Sequence, residues 1–177
     1  MDRPRFSQDV IDNLDGAFAD LERAEAVAVR QQLTHEQAHI HFLRGNLYFP
    51  RGNVEGCLKE HSKSLGLANQ LGLAELEAEA LGGLGDAEYM RGRMISAHDR
   101  LRSCVELCRR HGLGRIEVAN AAQIAHTMLY CCPQEQALEA GHAATQAAAI
   151  LSSSRLMMVS ATISVLDERW KKINSLK

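Results

Sequence analysis

The sequence predicts an all-α protein, a solenoid of antiparallel helix pairs repeating about every 40 residues. Three observations predict it. Small residues recur in register, since Gly45 and Gly52 reappear 40 positions on as Gly85 and Gly92, and Gly72 reappears as Gly112. Apolar residues between these marks fall at helical spacing, as with Leu76, Ala80, Leu84 and Ala87, or Leu101, Cys104, Val105 and Cys108. The composition is rich in Ala, Leu, Glu, Gln and Arg, with three prolines and only 5% aromatics, which favours helix over a sheet sandwich.

The elements follow in order. A first helix over 7–31 reads as an N-terminal half-repeat, the second member of a pair. Three pairs follow: repeat one over 36–72 (helices 36–49 and 53–71), repeat two over 76–112 (75–91 and 94–111) and repeat three over 116–152 (115–131 and 134–151). A closing helix over 155–175 begins after "SSS" and ends in charge, as the water-facing end of an array should. Gly52 and Gly92 are expected in left-handed elbows, Gly72 and Gly112 as C-terminal caps, and Asn53 and Ser96 as N-terminal punctuation. Pro50 should distort the last turn before the first elbow, and Cys132–Pro133 should replace the glycine elbow in the third pair. Gly45 and Gly85 are expected where paired helices cross, with Ala97 and Ala137 opposite them.

The bulk properties narrow the partners. Net charge is −2 and the pI about 6.4, so no basic footprint for nucleic acid is expected. No apolar run approaches the roughly 20 residues of a membrane span, and no signal core is evident, so a cytoplasmic location is expected. Five cysteines, an odd number in a chain of 177 residues, speak against a disulfide framework and for a reducing compartment.

The chemistry-bearing candidates favour packing over catalysis. "GGLG" at 82–85 lies mid-helix rather than between a strand and a helix, so it reads as close packing and not as a phosphate loop. Cys104, Cys108 and His111 share a helix face, as do Cys57 and His61, but neither set forms a zinc knuckle, and buried thiols commonly serve as small hydrophobes. No metal, no cofactor and no catalytic residue is expected. Cys131–Cys132 reads as an oxidation-prone elbow without a redox motif.

In the segment "LGDAEYMRGRMISAHDRL", Leu84, Gly85, Tyr89, Gly92 and Ala97 resemble the tetratricopeptide repeat, with the aromatic shifted by one position. Gly45, Tyr48 and Gly52 continue the pattern, with Arg44 in place of its Leu and Cys57 in place of its Ala. Ile124, Ala125 and Ala137 retain it in the third pair, where both glycines are lost. The spacing exceeds the family's usual 34, so each helix is lengthened. The resemblance implies a right-handed superhelical α-solenoid whose first helices line a concave groove that binds a peptide, a helix or a neighbouring domain. His39, Phe42, Asn46 and Phe49 are expected there from the first pair, Glu79, Asp86 and Tyr89 from the second, and Ala122, His126, Leu129 and Tyr130 from the third. "FLRGNLYFPRGNVEGCLKEH" is also similar to C-terminal repeats of large bacterial proteins that join a class III nucleotide cyclase or kinase domain to a signalling ATPase. That likeness implies, as the alternative, a sensor or regulatory arm. The lone first helix should leave an apolar face open to self-association, as a homodimer.

Overall fold

The computed structural model describes residues 5–150, with side chains described from 14 to 147. The described residues are all-helical: α1 (Arg5–Arg30), α2 (Thr34–Tyr48), α3 (Val54–Leu71), α4 (Ala74–Met90), α5 (Met94–His111), α6 (Gly114–Cys131) and α7 (Gln134–Ile150). The expected closing helix over 155–175 lies outside them. No helix among them is long and apolar enough to cross a membrane.

One backbone event sets the spacing. Gln32, Gly52, Gly72, Gly92 and Gly112 have φ of 55°, 66°, 67°, 75° and 69°, at intervals of twenty residues. After each, the next N–H reaches a carbonyl five residues back: Leu33 to Ala28 (2.8 Å), Asn53 to Tyr48 (3.1 Å), Leu73 to Ala68 (2.9 Å), Arg93 to Glu88 (3.0 Å) and Leu113 to Cys108 (2.9 Å). This is the Schellman closure, which satisfies carbonyls the helix end would otherwise strand. The elbow and cap glycines thus stand where the forty-residue register puts them. The third elbow departs from the pattern as expected: Cys132 is extended (φ −130°, ψ 163°) and Pro133 ends the series.

Two start signals divide. The Asn53 side chain accepts from the Gly56 N–H at 2.9 Å and caps α3. Ser96 caps nothing, because α5 begins at Met94 with Arg93 at the cap position. Ahead of Pro50, α2 stops at Tyr48, and Phe49 and Arg51 bond three residues back, tightening the exit.

Consecutive helices pack on one another. In addition α2 touches α4 and α4 touches α6, whereas among the described residues α1 and α3, α3 and α5, and α5 and α7 make no comparable contact. The even helices therefore form a continuous layer. Glycines on α4 let three neighbours close in. A Cβ on Gly82 would stand 2.7 Å from Asn120 Oδ1 of α6, one on Gly83 would stand 2.5 Å from the His61 ring of α3, and one on Gly85 would stand 2.6 Å from Leu101 Cγ of α5. The "GGLG" stretch is a packing site in the middle of a helix.

The crossing differs from expectation in one respect. Gly45 faces His61 and Gly85 faces Leu101, one helical turn beyond Cys57 and Ala97. Residues equidistant from an elbow stand level in an antiparallel pair. With the elbow near 53, Gly45 is level with His61, while Cys57 is level with Phe49. Cys57, Ala97 and Ala137 are nonetheless buried, so the small-residue column holds although its partner differs.

Gln32 is the one non-glycine in the left-handed series, a conformation that costs an L-residue about 1–2 kcal/mol. Gln32→Gly should therefore raise unfolding stability by about 0.5–1 kcal/mol after the added chain entropy of glycine is set against it. Urea titration with an unchanged slope checks this.

Candidate partner-binding face

The layer of even helices carries most of the residues predicted for a groove. His39, Asn46 and Tyr130 are exposed, and Phe42, Phe49, Glu79, Asp86, Tyr89, His126 and Leu129 are half-buried. Ala122 is buried at 3% exposure and faces the packing, contrary to expectation.

The rings gather in two groups. In the first, Phe42 stands 6.0 Å from His39 and 5.8 Å from His61, and Phe49 stands 5.9 Å from His61 on another side. In the second, His126 lies 5.3 Å from Tyr89 and 6.4 Å from Tyr130, and the Tyr89 hydroxyl bonds His126 Nδ1 at 3.3 Å. The partial burial of Phe42, Phe49 and Tyr89 is thus shared between the layer's own packing and solvent.

Sequence reasoning placed His61 on a face shared with Cys57. The structure puts it at the centre of the first group, wholly buried between Gly45 of α2 and Gly83 of α4. Neither ring nitrogen has a hydrogen-bond partner among the described residues. Burial lowers its pKa to about 4, so the imidazole is neutral at physiological pH. The signal was available in the register: His61 plus 40 is Leu101, an apolar column.

Of two carboxylates on this layer, Asp86 has no cation near it among the described residues, and Glu79 has Arg115 and His39 nearby but outside ion-pair distance. Asp86 and Glu79 make no hydrogen bond or ion pair among the described residues. Burial raises Asp86 to about 6. Glu79 is raised by burial and by the neighbouring Glu75, which together outweigh the opposite pull of His39 and Arg115. Glu75 and Glu79 also line an open cleft of about 290 Å³, with Arg115 and Ile116 of α6 on its other wall.

Behind the first pair lies an ionic lattice that sequence reasoning missed. The Glu60 carboxylate meets His41 Nδ1 at 2.8 Å, Arg44 at 3.2 Å and Lys63 at 3.0 Å, and Arg44 reaches Glu25 of α1 at 2.6 Å. Burial alone would raise Glu60, but the hydrogen bonds from His41 and Lys63 outweigh it and hold the group ionised. The hydrogen bond from Arg44 likewise holds Glu25 low.

The cysteines also divide. Cys104 and Cys108 sit in an apolar cluster with Ala78, Leu81 and Leu107, and burial raises both thiols. His111 is exposed. A different set gathers three donors: His98, Cys131 and Cys132 bring one ligand atom each within 4.8 Å of one another. No family model and no curated protein matches the chain.

His61 makes stability pH-dependent in a definite direction. Its folded pKa lies below the unfolded value of about 6.5, so the unfolded state binds the proton first. The stability from this group is complete above pH 6.5 and is lost as pH falls towards 4, while Asp86, shifted the other way, opposes the loss. His61→Leu, which copies Leu101, removes the titration and two unpaired nitrogens. The variant should be more stable than the parent, and its advantage should widen by roughly 2 kcal/mol between pH 7 and pH 5. Urea midpoints at the two pH values check this, and a gap that stays constant would show that His61 is not held neutral.

Proposed function

We propose that the chain is a non-catalytic interaction module. It is a right-handed superhelical array of tetratricopeptide-like pairs, and it binds a segment of a partner protein along the face of α2, α4 and α6. Two features support this reading. Among the described residues the even helices touch one another directly while the odd helices do not, the arrangement expected of an inner wall. That wall presents aromatic side chains from successive pairs, Phe42 and Phe49, then Tyr89, then His126 and Tyr130.

The observation that carries the reading is the state of Asp86. A half-buried carboxylate without a cation is unfavourable unless a ligand supplies one. Asp86 and Glu79 share α4 with Tyr89, so the partner segment is one that offers Lys or Arg beside apolar side chains. Aromatic anchors supply the contact area and the carboxylates select for charge.

Selection from a displayed random-peptide library on the immobilised protein should enrich segments pairing basic with apolar residues. The double change Phe49→Ala and Tyr89→Ala should keep helical circular dichroism and weaken the selected peptides at least tenfold, the loss of about 2 kcal/mol that a true anchor brings. Asp86→Asn should remove the basic preference. Binding a cation favours ionised Asp86, so affinity should be constant above pH 6 and fall towards tenfold per pH unit below it. Unfolding of the double variant would place both rings in the core, and retained binding would move recognition off this face.

A further inference from the structure

The structure assigns a second, separate site: we propose that His98, Cys131 and Cys132 bind one zinc ion at the third elbow. The three residues come from two helices. His98 lies in the first turns of α5, Cys131 is the last residue of α6, and Cys132 is its extended cap. Their ligand atoms lie within 4.8 Å of one another. The two sulfurs stand 3.8 Å apart. Two thiolates at about 2.3 Å from a tetrahedral zinc are separated by about 3.8 Å, so the cysteines already stand at the spacing the ion needs.

Thr127 prepares the histidine. Its hydroxyl, fully buried, donates to the Ile124 carbonyl at 2.8 Å. The oxygen can then only accept from His98 Nδ1, 3.1 Å away. Nδ1 therefore carries the ring proton and Nε2 keeps its lone pair, the tautomer that ligates through Nε2. An outer hydrogen bond of this kind is the usual support of a metal-bound histidine. In the metal-free chain the carbonyl of the same Thr127 accepts from the Cys131 thiol at 3.3 Å, a bond given up when zinc takes the thiolate.

The site falls where the repeat fails. The first two elbows have Gly52 and Gly92 in left-handed turns, and the third has Cys132 and Pro133 with no such closure. In the register, His98 and Cys131 stand where the first pair has Leu58 and Arg51, and Thr127 where the second has Ala87. Thr127, Cys131 and Cys132 all change at the third elbow, and His98 reaches it from α5, where the other pairs have Leu58 and Leu138. Zinc there would tie α5 to the end of α6 in place of the missing backbone closure.

Two thiolates and one imidazole select a thiophilic d10 ion. Both thiols give up their protons, so each zinc bound by the neutral site releases two protons to solvent. Cys131 is exposed, which leaves the fourth position to water.

The test uses the full chain, reduced and stripped of metal. Zinc is titrated against a chromophoric chelator, with cobalt as a spectroscopic substitute. One equivalent should bind, with release of two protons, a thiolate-to-cobalt charge-transfer band and a raised melting midpoint. Cys131→Ser with Cys132→Ser should abolish all of these while circular dichroism is unchanged. Cys108→Ala, which removes the other thiol pair, should retain them. Thr127→Val should weaken binding 10- to 100-fold, with the cobalt band still present. Absence of stoichiometric uptake, or uptake that survives loss of both elbow cysteines, overturns the assignment. So does loss of uptake in a folded Cys108→Ala chain.

Discussion

The molecule depends on a left-handed residue every twenty positions. Each one reverses the chain and lets the following N–H close on a carbonyl five residues back. Constant spacing of these reversals then brings equivalent side chains to equivalent places, two helices on. Every other feature of the fold inherits that register: which glycines meet which side chains, which rings share a face, and where the series stops at Cys132 and Pro133.

Within that frame the pairs are chemically unequal. Leu65, Leu81 and Leu84 stand forty residues on from Glu25, His41 and Arg44. The α1–α2–α3 junction is therefore ionic where the α3–α4–α5 junction is apolar. Desolvating such a lattice is expensive, and an apolar replacement of the same volume is often as stable. What the charges add is complementarity: Glu25 of α1 meets Arg44 of α2, which in turn meets Glu60 of α3. His61 is the complementary case, a polar ring in an apolar column with neither nitrogen bonded.

Much of this was legible in the sequence because it rests on residue types with single physical meanings. A glycine recurring at a fixed interval specifies an elbow, and helical spacing specifies a face. Seven of the eight expected helices correspond to described ones, with ends within a few residues. Gln32 was visible only as a register mate of the glycines, because its side chain gives no sign of a left-handed backbone. Ser96 misled because its residue type suits a cap, whereas the Schellman closure at Gly92 fixes the start of α5 earlier. The face was legible as a set of rings, but not the buried position of His61 or the missing cation at Asp86. Both depend on neighbours from other helices. The His98, Cys131 and Cys132 cluster was hidden for the same reason: thirty-three residues separate its first and second members, and only the pairing of α5 with α6 brings them together.

Constant stepping of the pairs is the premise beneath the proposed groove, and spin-label distances test it directly. Lys59, Asp99 and Glu139 are exposed equivalents on α3, α5 and α7, forty residues apart. Cysteines placed there two at a time, with Cys131 and Cys132 changed to serine, can be labelled while the three buried thiols stay protected. The 59–99 and 99–139 distances should be equal, and the 59–139 distance close to their sum. A 59–139 distance no longer than a single step would mean that the helices close into a bundle and that no open groove exists.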